Sequence, residues 1–124
     1  ARTEAVRRNT RVSWVNNNGA WSVGCAVVVA DCPAIIQNRS ADELGSSPPT
    51  IVTTPAGATT LTFNGLGRAV ANADATATIT QIDVDAPAGT ITTAESRDMH
   101  ILIGSGGQIR TCDSFFTAPD PRAC

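Results

Sequence analysis

The hydrophobic period changes near residue 10, and that switch constrains the fold more than any other feature. "ARTEAVRRNTR" opens the chain with good helix formers, and Ala1, Ala5 and Arg8 share one face at i, i+4 and i+7. Asn9 and Thr10 weaken the helix, and β-branched residues then take over. "RVSWV", "NNNG" and "AWSVGCAVVVAD" predict a β-hairpin over residues 11 to 30, because Asn and Gly tolerate the positive φ of a tight turn. Residues 31 to 49 read as polar loop, with "ADEL" as one helical turn. "TIVTT", "TTLTFN", "ATATITQIDV" and "TITTA" read as further strands between "PAGA", "GLGR" and "APAG" turns. "RDMHILIG" and "QIRTC" form a last pair around "SGG". The expected class is α+β, with the helix covering one face of an antiparallel sheet. A chain of 124 residues is expected to make one domain. Its parts are a helix end at 1–10, a β-rich body at 11–111 and a C-terminal loop at 112–124.

The four cysteines fall as two local pairs, Cys25/Cys32 and Cys112/Cys124. Neither has zinc spacing, and His100 lies far from both in sequence. Three connectivities are open, and local pairing is the expected one. Closing a ring of about 13 residues contributes about 3 kcal/mol when the bond is unstrained. Disulfides point to an oxidising compartment. The longest apolar stretch, "CAVVVA", is far too short to span a bilayer. An opening without Met in mid-helix leads us to expect the mature or trimmed fragment of an exported protein whose helix is truncated.

Site chemistry is sparse. The formal net charge of −2 argues against a nucleic-acid binder working by bulk charge, and no function is drawn from all nine basic residues being arginine. His100 is expected to be a partly buried or edge-strand histidine. Ser105 in "GSGG" lacks the spacing and the strand-to-helix context of a nucleophile elbow. "GLGRAV" and "GSGG" lack the lysine and following helix of a phosphate cradle. Asp83 and Asp85 share a strand face and read as two exposed carboxylates, too few for calcium. We expect no enzyme activity, catalytic residue, metal or cofactor.

"ARTEAVRRNTRV", a Trp before a hydrophobic strand, "TLTFNGLGRA" and "HILIGSGGQIRTCD…DPRAC" occur in an order that resembles the GspH/FimT family of minor pilins, nearest to the FimU type of type IV pilus systems. The resemblance spans nearly the whole chain and implies a pilin-like fold with a disulfide-bounded C-terminal loop. It also implies a prepilin leader and hydrophobic half-helix that hold full-length members in the inner membrane, with the globular domain in the periplasm before assembly and at the cell surface in the pilus afterwards. The implied function is non-catalytic: priming of pilus assembly and residence at the tip, with other minor pilins, the major pilin and a tip-associated adhesin as partners.

In that setting Arg2, Arg7, Arg8 and Arg11 are candidates to pair with acidic neighbours, and one of Phe115 and Phe116 is a candidate anchor for a partner. Trp14 and Trp21 are expected to pack within the protein. FimT-like members bind DNA through a Gly-Arg-x-Arg pattern, matched here by Gly107, Gln108, Ile109 and Arg110. Arg110 is the DNA-contact candidate of that alternative, but Gln108 and the nearby Asp113 weaken the cation cluster that phosphates require. A minor pseudopilin of type II secretion shares the fold and is the other alternative; the paired C-terminal cysteines favour the pilus. A secreted enzyme or inhibitor has no residues to carry it.

Overall fold

Helix α1 spans Arg2–Arg8 and ends where the sequence weakens. The structure, a computed structural model, describes residues 1–87, 89, 92 and 95–124. A helix of 7 residues is too short to persist alone in water, so docking must hold it: Ala5 is fully buried. Glu4 in the first turn and Arg7 and Arg8 in the last complement the helix dipole. Asn9, left-handed at φ 48°, closes the helix with its N–H on the Ala5 and Val6 carbonyls.

The strands among the described residues are β1 (Val12–Asn17), β2 (Ala20–Cys25), β3 (Gln37–Arg39), β4 (Thr50–Thr54), β5 (Thr60–Phe63), β6 (Ala69–Val70), β7 (Gln81–Asp85), β8 (Met99–Ile103) and β9 (Ile109–Asp113). The α+β class is as expected, but the strands form two antiparallel sheets rather than one. Their orders are β3-β2-β1-β5-β6 and β4-β7-β8-β9. Adjacent in sequence, β4 and β5 part company across the Pro55–Ala58 turn: β4 pairs with β7, and β5 pairs with β1. Two sheets let each bury an apolar face. Val12, Val23, Leu61 and Phe63 of the first join Ile82 and Ile103 of the second, with Ala5 and Ile79, in one core cluster. Trp14 and Trp21 pack against it, as expected.

The first hairpin turns at Asn18 and Gly19, both at positive φ, and buried Asn16 accepts the Gly19 N–H through its side-chain oxygen. Its return strand stops at Cys25 rather than reaching residue 30. There the chain doubles back: Ala26 N–H donates to Arg11, Cys25 N–H to Pro33, and Val29 and Cys32 exchange both backbone bonds. Val27, Val28 and Val29 are thereby turned out to solvent. The following segment crosses tightly over β2, where a Cβ on Gly24 would lie 1.7 Å from the Ala34 carbonyl oxygen.

Residues 31–49 are not all loop, since β3 adds an edge strand; "ADEL" is a 3-10 turn, Ala41–Leu44, with a Ser40/Glu43 capping box. Of "ATATITQIDV" only Gln81–Asp85 becomes the strand β7. The preceding part wraps around Asn72, whose amide donates to Thr60, Thr76 and Ala77 carbonyls and whose oxygen accepts from buried Thr62. That polar demand overrides the alternation. The resumption over "TITTA" lies largely outside the described residues.

Candidate interaction surfaces

Both local disulfides are present, Cys25–Cys32 and Cys112–Cys124, with Cα separations of 5.7 and 5.1 Å. The second closes a C-terminal ring onto β9. Asp113 N–H donates to Arg122 O, and Asp113 pairs with Ala123 in a parallel bridge. The sequence inside the ring has no regular period, so side chains organise it. Asp113 Oδ1 accepts the Phe115 N–H at 2.8 Å, and Asp120 Oδ1 accepts the Arg122 N–H at 2.9 Å. The Arg122 guanidinium grips Asp120 at 2.9 Å and holds that carboxyl down at about 2.

The two ring phenylalanines meet edge to face, 5.5 Å apart. Phe115 is 65% exposed and Phe116 is half-buried, so the two differ in exposure as expected. Two cations cover them. Arg97 lies 4.4 Å from the Phe115 centroid and 5.1 Å from that of Phe116, while Arg122 lies 3.7 Å from Phe116. Arg97 also reaches Asp113 at 3.4 Å. Arg97, Met99, Thr111, Asp113, Phe116 and Arg122 line a cleft of about 220 Å³ beside the disulfide. Sequence reasoning missed both arginines: Arg97 comes before β8, and only the β8–β9 pairing brings it to the ring.

The helix arginines are less free than expected. Arg7 and Arg8 both bind Glu4, at 2.7 and 2.9 Å, and those hydrogen bonds hold the Glu4 carboxyl below its ordinary range. Arg8 also donates to the Asp31 carbonyl, and Arg2 donates through Nε to Gly67 O at 3.0 Å. Arg11 is exposed at the helix exit. Arg110 donates to the Ala123 carbonyl at 2.6 Å, so this residue of the DNA alternative ties β9 to the ring.

The glycine turns are packing devices. A Cβ on Gly107 would lie 1.8 Å from Gly67 O, and one on Gly67 would lie 3.1 Å from Val6 Cγ2. Both residues have positive φ. The "GSGG" turn of one sheet thus rests on the "GLGR" turn of the other, which rests on α1.

His100 sits in β8, an inner strand, and donates from Nδ1 to Asp83 Oδ1 at 2.5 Å; Gln81 Nε2 donates to the same oxygen at 2.6 Å. Burial pulls the Asp83 carboxyl upward, but the bonds from His100 and Gln81 outweigh it and leave it below its ordinary range. Asp83 is therefore a half-buried hydrogen-bond partner of His100 and Gln81, not an exposed carboxylate. Asp85 accepts from Ser96 and remains exposed. Ser105 lines a different cleft, with Ala69, Thr78 and Ile103. No cluster of three or more potential metal ligands occurs among the described residues.

Residues 1–107 match the family described as type II transport protein GspH. The chain belongs to the GspH family. No curated protein and no solved structure matches it. GspH-family members are structural pilin or pseudopilin subunits of type II secretion or pilus systems, and membership implies a pilin-like fold and contacts with other such subunits. No helix among the described residues is long and apolar enough to cross a membrane. The GspH match takes in α1, both glycine turns and β8, and it stops before β9 and the C-terminal ring.

Proposed function

We propose that this chain is a non-catalytic minor pilin of a type IV pilus, FimU-like, that takes part in priming assembly and resides at the tip. The observation that carries the reading is the pairing of GspH-family membership over residues 1–107 with the stapled ring beyond it. That ring offers Phe115, backed by Arg97 and by the edge of Phe116, as a contact for neighbouring minor pilins. The partners proposed are the other minor pilins, the major pilin and a tip-associated adhesin. The full-length protein is proposed to sit in the inner membrane with this domain in the periplasm, and to reach the cell surface on assembly. Deleting the gene in its source organism should abolish or sharply reduce surface pili while leaving type II secretion intact.

A second reading, a minor pseudopilin of type II secretion, is favoured by the description of the matching family. It predicts the reverse: secreted hydrolases accumulate in the periplasm of the deletion strain and pili are unaffected.

A further inference from the structure

Among the described residues the most exposed large hydrophobic side chain is Leu66, at 78%, and it lies outside the C-terminal ring. It stands at the tip of the turn between β5 and β6, and the turn holds it rigidly. Asn64 Oδ1 accepts the Leu66 and Arg68 N–H groups, both at 3.0 Å. Gly67 N–H donates to Asn64 O, and Asn64 N–H to Arg68 O. From below, Gly65 abuts Asn9, Gly67 abuts Val6 and Arg2, and Gly107 abuts Gly67 O. An exposed leucine on so braced a loop has little entropy left to lose on binding.

Val6, 51% exposed, stands against the same turn, and a shallow concavity of about 450 Å³ runs along Arg2, Thr3, Val6 and Arg7. Three exposed arginines border this patch: Arg2 lies against Gly67, Arg7 lines the concavity while also binding Glu4, and Arg68 follows Leu66 in the turn, whereas Arg8 reaches away to the Asp31 carbonyl. A two-residue apolar knob flanked by three arginines is too small to hold a membrane by burial and has no use on a phosphate backbone. Its complement is a protein face with an apolar socket rimmed by carboxylates.

We propose that Leu66 and Val6, flanked by Arg2, Arg7 and Arg68, form a second docking surface for an acidic-rimmed face of another pilin-like subunit. The inference rests on the assembly reading and adds a contact that the C-terminal ring does not provide.

The test is photocrosslinking of the full-length protein in its own cells, with benzoylphenylalanine in place of Leu66 or, separately, of Phe115. The expected result is a crosslink from position 66 to a different pilin-like subunit, mapping beside Asp or Glu residues. Arg68→Glu should lower its yield about tenfold, the loss of one good contact. Silence at 66 with crosslinking at 115 overturns this proposal alone; silence at both overturns the assembly reading with it. Crosslinks from 66 to a second copy, to lipid or to DNA also overturn it. So does an Arg68→Glu yield equal to that of the unsubstituted chain.

Discussion

The two disulfide rings use one covalent device to opposite ends. The Cys25–Cys32 ring closes over a sequence separation of 7 and is ordered by its backbone, with Val29 and Cys32 exchanging hydrogen bonds and α1 docking through Arg8 on a carbonyl. Its sulfurs belong to the core, both cysteines being buried, while its three valines face water. The Cys112–Cys124 ring closes over 12 and is ordered by charged side chains, with carboxylates capping its turns and guanidiniums covering its rings. One of its cysteines, Cys124, is exposed. The first ring ends a strand and completes the core; the second builds a surface.

Removing each disulfide breaks this comparison most directly. Loop entropy alone makes the two worth nearly the same, about 3 kcal/mol each. The Cys25→Ala/Cys32→Ala pair also empties core volume, so its loss should reach about 4 kcal/mol. The Cys112→Ala/Cys124→Ala pair empties volume at one buried cysteine rather than two, since Cys124 is exposed, so its loss should stay nearer about 3 kcal/mol. Urea denaturation of the two double variants measures both, and equal losses would remove the distinction between core staple and surface staple. Within the second ring, Asp113→Ala leaves the Phe115 N–H and Arg97 without their acceptor and should cost about 2 kcal/mol.

Acid should separate the rings without any mutation. The folded Asp120 carboxyl sits at about 2, below its ordinary 3.8. Its contribution is therefore present above about pH 4 and lost as pH falls through about 2. The turn at Arg122 should loosen over that window, seen as chemical-shift changes of its amide in NMR spectra. In the Cys25–Cys32 ring the turn is held by backbone bonds, and Arg8 holds the Asp31 backbone carbonyl rather than its carboxylate, so the Val29 and Cys32 amides should move less than that of Arg122. The smallest effect belongs to Val28→Ser, an exposed substitution that should move stability by less than about 0.5 kcal/mol in the same denaturation assay.

Local patterns in the sequence carried the helix, the Asn18–Gly19 turn, the β8–β9 pair and both disulfides. Non-local choices did not show. Nothing in "TIVTT" and "TTLTFN" says that neighbouring strands join different sheets, because that depends on which partner covers each apolar face. "CAVVVA" has every mark of a strand interior, yet a ring closed at Cys25 leaves its valines no strand to pair with. "GLGR" and "GSGG" could be read only for a ligand they lack the residues to hold; their glycines serve a close approach between turns about 40 residues apart. At the candidate site Phe115 and Phe116 were legible as an aromatic pair in an irregular loop. The cations over them were not, because Arg97 reaches them through strand pairing.

The central claim, that the C-terminal ring is the contact surface of the pair, is tested most directly by the affinity of the purified domain for the other pilin-like subunits of its system. Biolayer interferometry should show Phe115→Ala weakening at least one such complex by about tenfold or more, with an unchanged thermal midpoint, while Val28→Ser binds as the parent does. Undiminished binding by Phe115→Ala, with loss in Val28→Ser, would contradict the account and move the contact to the other ring.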